Sequence, residues 1–139
     1  MKFITSDIDA LAKRFGFVAL YGFGSRALEA KKCVEEGLPL DTANPADLDL
    51  GVQYRRDLRP SIEDTVRLAL ALEDAAGARV DLVNACAADH NLSLAIIRGE
   101  LLYCNDPGEQ AEFELYVLRR AGDLAHYERE RRRMLLEAR

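Results

Sequence analysis

The sequence predicts an α/β (α+β) fold, in which a mixed β-sheet of about four strands packs against helices and is followed by a C-terminal helix. Helical and strand patterns alternate along the chain as α-β-α-β-α-β-α-β-α. Residues 17–23 form a nearly continuous apolar run, which is typical of a strand buried on both faces of a sheet. The 139 residues, 49% of them hydrophobic, suit one compact domain over residues 1–139.

The first half of the chain is predicted to form a helix, a strand, a second helix, a loop and a second strand. Ser6 is an N-cap candidate, because the residues after it place apolar side chains on one helical stripe. Gly37 is expected to end the second helix, since glycine readily adopts the left-handed conformation found there. The elements after the first helix cover residues 17–23 (strand), 26–36 (helix), 38–46 (loop) and 47–53 (strand).

In the second half, Ser61 and Asp64 have the spacing of a capping box and predict the start of a third helix. Its apolar stripe is expected to include Ile62 and Val66, and Gly77 is expected to end it. The remaining elements are a strand over residues 79–84, a helix from Asp89 to Gly99, a strand over residues 100–104, and a C-terminal helix that starts at Asp106 and is interrupted or kinked at Gly122–Asp123.

Composition excludes several classes of function. A net charge of −5 argues against direct nucleic-acid binding, which depends on basic side chains that neutralise phosphates. The three cysteines lack the close spacing of a zinc site or a disulfide scaffold and are interpreted as reduced thiols. The sequence shows neither a signal peptide nor a stretch of about 20 apolar residues, so no membrane association is expected and a cytoplasmic protein is predicted.

Gly24 and Ser25 lie where the first predicted strand turns into a helix. Such a turn presents free backbone N–H groups and the positive end of the helix dipole, which together can hold a phosphate. The alternative is that Gly24 only makes the turn and Ser25 only caps the helix. Arg26, the next residue, is a candidate for phosphate contact or for a surface ion pair.

Asp47 and Asp49 lie on one face of the second predicted strand, because side chains alternate along a strand. Their Cα atoms are then roughly 6–7 Å apart, which lets both carboxylates bind a shared pair of divalent ions. Ligands that are all oxygen favour Mg²⁺ or Mn²⁺. The alternative is an exposed strand face that tolerates acidic residues.

Asp81 lies within an apolar strand sequence, so a third carboxylate projects from an otherwise core-like segment. It is a candidate either for completing the metal site or for accepting a proton from an attacking hydroxyl. The alternative is an ion pair with a neighbour such as Arg79.

Three motifs in order, YGFGSRA at 21–27, DLDL at 47–50 and VDLV at 80–83, resemble the DNA polymerase β-like nucleotidyltransferase superfamily. Within it, the chain is similar to the minimal nucleotidyltransferases, in particular the MntA-type antitoxins that are paired with HEPN toxins. The resemblance covers nearly the whole chain. It implies that Gly24 and Ser25 hold a triphosphate, that Asp47 and Asp49 bind two Mg²⁺ ions, and that Asp81 completes the carboxylate set.

The same resemblance implies transfer of AMP from ATP to a tyrosine of a HEPN ribonuclease toxin, which silences the toxin. In this sequence 21 residues, 26–46, separate Ser25 from Asp47, about twice the family's usual spacing. Two other hypotheses are an antitoxin that acts by occluding its toxin without chemistry, and a small-molecule nucleotidyltransferase of the aminoglycoside-modifying kind.

Overall fold

The structure is a computed structural model that describes residues 1–137, and it confirms the predicted fold class. Within these residues, five helices and four strands alternate, with one short 3₁₀ turn after the first strand. In chain order they are α1 (Thr5–Phe15), β1 (Phe17–Phe23), the 3₁₀ turn (Gly24–Arg26), α2 (Ala27–Glu36), β2 (Leu48–Tyr54), α3 (Ile62–Ala76), β3 (Val80–Asn84), α4 (His90–Ile97), β4 (Glu100–Cys104) and α5 (Pro107–Glu137).

The four strands form one mixed sheet in the order β3-β2-β1-β4. β1 is antiparallel to both β2 and β4, whereas β2 and β3 are parallel, with α3 as the crossover between them. The first six residues of β1 are buried, as predicted for a central strand that is covered on both faces. The sheet therefore has two apolar faces, each of which requires a layer of helix.

One face of the sheet is covered by α1, α2 and α3 and holds the larger core, which includes the fully buried Leu50 and Leu68. The other face is covered by α4 and the start of α5, where Ile96 and Phe113 pack near Tyr21. Because residues alternate along β2, Leu48 and Leu50 face the larger core. Asp49 therefore points to the face of α4 and α5.

The predicted ends of several helices are confirmed. Ser61 and Asp64 form the reciprocal capping box at the start of α3, with both hydrogen bonds present. Gly37 and Gly77 end α2 and α3 in the left-handed conformation. The Asp89 side chain accepts the Leu92 backbone N–H at the start of α4.

Two helix predictions at the ends of the chain are wrong. Helix α1 begins at Thr5 with Ile4 in the N-cap position, so Ser6 lies inside the first turn and does not cap it. Helix α5 runs without interruption through Gly122 and Asp123. A glycine inside a helix costs only about 1 kcal/mol relative to alanine, so the surrounding helix-forming residues maintain the helix there.

The predicted buried stripe of α3 is also wrong. Ile62 and Val66 are 86% and 52% exposed, and Leu68 and Leu72 are the buried residues instead. The helix sequence carries apolar residues on two faces, and the sheet selects the face that contains the two leucines. Among residues 1–137, no helix has both the length and the apolar content needed to cross a bilayer.

Replacing each serine with alanine tests whether Ser61 caps a helix and Ser6 does not. We expect Ser61→Ala to lower the free energy of unfolding by about 1 kcal/mol, because the N-terminal amides of α3 lose a hydrogen-bond acceptor. The matched change Ser6→Ala should leave stability the same or slightly higher, since alanine is the better residue inside a helix. Urea denaturation followed by circular dichroism measures both, and an equal loss at the two serines would contradict the cap assignment.

Candidate active site

The residues predicted to form the site are brought together by the pairing of three neighbouring strands. Phe23, the last residue of β1, is the antiparallel partner of Asp49. Asp49 is in turn the parallel partner of Asp81 on β3. The Gly24–Ser25 turn follows Phe23 directly, so the turn and the two carboxylates form one row across the sheet. Neighbouring strands lie about 4.8 Å apart, which is close enough for two such carboxylates to share a cation.

Gly24 is required at the turn for two separate reasons. Its φ of +74° lies in the left-handed region, which side chains other than glycine rarely adopt. In addition, a Cβ atom at this position would overlap the Asp49 Oδ2 atom. The backbone of the turn is therefore packed directly against the Asp49 carboxylate.

The turn is open to solvent and is not capped by a side chain. Gly24 and Ser25 are exposed, and neither the 3₁₀ turn nor α2 has a side-chain hydrogen bond at its N-cap. Ser25 therefore does not cap the helix, which was the alternative to phosphate binding. Uncapped N–H groups at a helix start are the groups that bind phosphate oxygens.

The carboxyl of Asp49 has a shifted pKa. It is half-buried, and this burial raises the pKa of its carboxyl above the usual value; the negative charges of Asp81 and then Asp47 raise it further. A cation placed between the carboxylates would offset both effects. The three aspartates thus form one electrostatic unit that is centred on Asp49.

Asp47 lies just before β2, because the strand begins at Leu48 and not at residue 47 as the sequence predicted. Its side chain is 44% exposed and forms a salt bridge of 3.8 Å with Arg79. The alternative for Asp81 was an ion pair with Arg79, but the structure pairs Arg79 with Asp47. An exposed pair of this length contributes little energy, so Asp47 remains free to exchange Arg79 for a metal ion.

Arg26 is buried, with 3% exposure, and does not form the surface ion pair that the sequence allowed. Its guanidinium forms a two-pronged ion pair with Glu29, with N–O distances of 2.8 and 2.9 Å. It also donates to the backbone carbonyls of Asp41 and Ala46. The role of Arg26 in phosphate contact stays a prediction.

Glu29 is the residue of this region that the sequence reasoning missed. It lies three residues after Arg26, and side chains at that spacing are neighbours on a helix. This spacing is the sequence feature that could have predicted the ion pair between Arg26 and Glu29. The hydrogen bonds that Arg26 donates to the Glu29 carboxylate are the main reason why the pKa of Glu29 is held below its usual value.

The donor set is suited to Mg²⁺. Within residues 1–137, no three His, Cys, Asp or Glu side chains come together as a ready-made metal cage. Mg²⁺ in nucleotide-dependent enzymes is usually held by one or two carboxylates together with substrate phosphates. The Asp49–Asp81 pair beside the uncapped Gly24–Ser25 turn has the composition expected for the protein part of such a site.

A groove of about 670 Å³ lies at the opposite end of β2, where Gln53, Tyr54 and the start of α5 form its walls. None of the predicted site residues lines this groove. Asp49 is five residues before Tyr54 along the strand, which is a separation of about 17 Å. The carboxylate row is therefore a separate site at the other end of the sheet.

The structure is similar to several solved structures of toxin–antitoxin complexes, whereas no family model and no curated protein match the sequence. A chain of a complex described as a toxin–antitoxin with AMP-PNP matches with a TM-score of 0.62 at 20% identity, over 96% of both chains. An MntA–HpeT complex with two Asp-to-Glu substitutions matches with a TM-score of 0.62 at 18% identity, over 96% of both chains.

A third match is a chain from the tri-AMPylated Shewanella oneidensis HEPN toxin in complex with MNT antitoxin. It has a TM-score of 0.59 at 20% identity and covers 96% of this chain and 93% of the other. At these identities the likeness establishes a shared fold. The fold expected from the sequence resemblance is thereby confirmed.

Replacing Gly24 separates backbone strain from contact with the carboxylate. We expect Gly24→Ala to destabilise the protein by about 1–2 kcal/mol through the left-handed φ alone, with a further loss from the overlap with Asp49. It should also abolish binding of Mg²⁺-nucleotide, measured by isothermal titration calorimetry. Gly37→Ala is the matched control, since Gly37 has a φ of +71° with no atom near the added Cβ. Nucleotide binding that survives in Gly24→Ala would contradict the turn assignment.

The raised pKa of Asp49 predicts a stability cost that depends on pH. The folded protein holds the Asp49 proton more tightly than the unfolded chain does, so ionised Asp49 destabilises the fold at neutral pH. We expect Asp49→Asn to raise the melting temperature at pH 7 by about 1–4 °C. This gain should disappear as the pH falls towards the ordinary Asp value of 3.8.

Asp57→Asn serves as the control for this experiment, because Asp57 is an exposed acid beyond the opposite end of β2 and its replacement should give no gain. Thermal melts between pH 4 and pH 8 measure both variants. A gain for Asp49→Asn that grows as the pH falls would overturn the assignment.

Proposed function

We propose that this chain is a nucleotidyltransferase antitoxin that binds Mg²⁺-ATP and transfers AMP to a tyrosine of a HEPN ribonuclease toxin. The observation that supports this proposal most directly is the row formed by the Gly24–Ser25 turn, Asp49 and Asp81 across three strands. A phosphate-binding turn beside paired carboxylates is the arrangement that phosphoryl and nucleotidyl transfer require.

Each part of the row has a separate role in this reaction. The uncapped N–H groups of the turn bind the triphosphate, and the Ser25 hydroxyl is a further donor. Asp47, Asp49 and Asp81 are the protein ligands for two Mg²⁺ ions, which when bound stabilise negative charge on the attacking and leaving oxygens. Catalysis then comes mainly from positioning and electrostatics.

The chemical step is an in-line displacement at the α-phosphorus of ATP. The tyrosine oxygen of the toxin forms a bond to this phosphorus while the bond to the β-phosphate oxygen breaks, so diphosphate leaves. The proton of the tyrosine hydroxyl passes to a carboxylate, and Asp81 is the candidate because it is exposed at the edge of the row. The product is an AMP–tyrosine phosphodiester on the toxin.

The similar solved structures support the proposal, because they contain the kind of nucleotide and the kind of product that it requires. One of them carries AMP-PNP, an analogue of ATP, and another contains an AMPylated HEPN toxin. In a third, two aspartates two positions apart were changed to glutamate, which is the spacing of Asp47 and Asp49 here. A protein acceptor also agrees with the acidic net charge of −5, which disfavours nucleic acid, and with a cytoplasmic location.

An occluding antitoxin without chemistry is the second candidate, and the long segment between α2 and β2 motivates it. Residues 38–47 of this segment are almost all exposed, and they lie directly before the carboxylate strand. A protein that covers its toxin could use this surface with no transfer of AMP.

The double substitution Asp47→Asn with Asp49→Asn distinguishes the two candidates. We expect the label transferred from α-labelled ATP to the co-expressed HEPN toxin to fall by at least about 10²–10³-fold, because the metal ligands are lost. Asp57→Asn is the control, since Asp57 is an exposed acid at the opposite end of β2. Undiminished transfer would refute the proposed site. Lost transfer with full protection of the cell would favour occlusion.

A further inference from the structure

We infer that Arg26 and Glu29 act together as a positioning clamp that fixes the backbone directly in front of the carboxylate strand. The inference rests on the proposed function, because it assigns the two residues a role at the same site. Neither residue is placed in contact with substrate. They act through the main chain that leads into Asp47 and Asp49.

The clamp is built around a buried guanidinium. Arg26 Nε and Nη2 donate to the two carboxylate oxygens of Glu29, which fixes the plane of the arginine head. Nη1 then donates to the Ala46 carbonyl at 2.8 Å and Nη2 to the Asp41 carbonyl at 3.1 Å. Glu29 adds a bond of its own, because its Oε2 accepts the Asp41 backbone N–H at 2.5 Å.

These contacts hold the long segment between α2 and β2 at two points. Asp41 lies in its middle, and Ala46 is the residue immediately before Asp47. The next backbone bond along the chain joins Leu48 N–H to the Arg79 carbonyl at 2.8 Å, which starts the pairing of β2 with β3. The main chain around Asp47 is thus fixed on both sides, by Arg26 and by β3.

A segment of this length needs such an anchor. Each residue that is free to move has conformational entropy that must be lost before Asp47 and Asp49 can bind metal in one geometry. The clamp removes this freedom at the residue next to Asp47. Arg26 is itself the last residue of the turn that begins with Gly24 and Ser25, so one side chain links the phosphate-binding turn to the carboxylate strand.

The geometry favours this role over direct contact with phosphate. Arg26 has five N–H donors, and four hydrogen bonds to protein acceptors use most of them. The residue is 3% exposed, whereas Gly24 and Ser25 beside it are open to solvent. A phosphate group could form a two-pronged contact with the guanidinium only by displacing Glu29 or a backbone carbonyl.

The test measures the affinity of the purified full-length chain for Mg²⁺ with AMP-PNP, by isothermal titration calorimetry. We expect Arg26→Gln and Glu29→Gln each to weaken binding by about 10–100-fold, the usual effect of losing a residue that orients a metal ligand. The double variant should bind no more weakly than the single ones, because both changes remove one clamp. Arg26→Lys should restore only part of the affinity, since lysine cannot form the two-pronged pair.

Two control variants separate positioning from general stability. Lys31→Gln removes another ion pair of α2, the one with Glu100, and Val34→Ala removes buried apolar contact from the same helix. Both should keep the affinity of the unmodified protein at a temperature where circular dichroism shows every variant folded. Equal weakening by Val34→Ala would show that Arg26 is merely structural.

Each remaining outcome overturns one specific claim. Normal binding by Glu29→Gln together with weak binding by Arg26→Gln would indicate direct phosphate contact and refute the clamp. Normal binding by both variants would also refute it. If the unmodified chain and Asp49→Asn bind Mg²⁺ and AMP-PNP equally well or not at all, the proposed function fails, whatever the clamp variants show.

Discussion

The repulsion among three carboxylates at one corner of the sheet is the constraint on which the rest of the site depends. Asp49 and Asp81 are paired across parallel strands, and Asp47 is two residues from Asp49. Like charges that face each other in a sheet destabilise it unless a cation lies between them. Burial of Asp49, and then the charges of Asp81 and Asp47, raise the pKa of its carboxyl. A cation placed between these carboxylates would offset their repulsion.

The remainder of the fold supplies the stability that this corner lacks. Buried leucines of β2 and α3 form the larger core on one face of the sheet, and α4 with the start of α5 closes the other. Leu48 and Leu50 are fully buried on either side of Asp49, so the strand cannot shift by one residue without exposing them. The apolar register of β2 therefore fixes the direction of the carboxylate. Leu48 and Leu50 stabilise the larger core from one face of β2, and Asp49 lies on the opposite face of the same strand.

The long segment between α2 and β2 shows how an insertion beside a site can be accommodated. Its residues are mostly exposed, yet the two-pronged pair of Arg26 with Glu29 ties its middle and its end to the start of α2. A buried ion pair adds little net stability, because two charges lose their hydration. The ion pair instead fixes the position of the main chain that leads into Asp47.

The sequence by itself determined the class of fold, the order of the elements, the glycines that end α2 and α3, and the candidate pair Asp47 and Asp49, because these follow from local periodicity and from residue chemistry. Only the tertiary structure decided that Leu68 and not Val66 is buried and that Arg26 points inwards to Glu29 and Ala46. It also paired Arg79 with Asp47 and brought Asp81 beside Asp49. These outcomes depend on which surfaces meet when the sheet forms, and residues distant in the chain determine that.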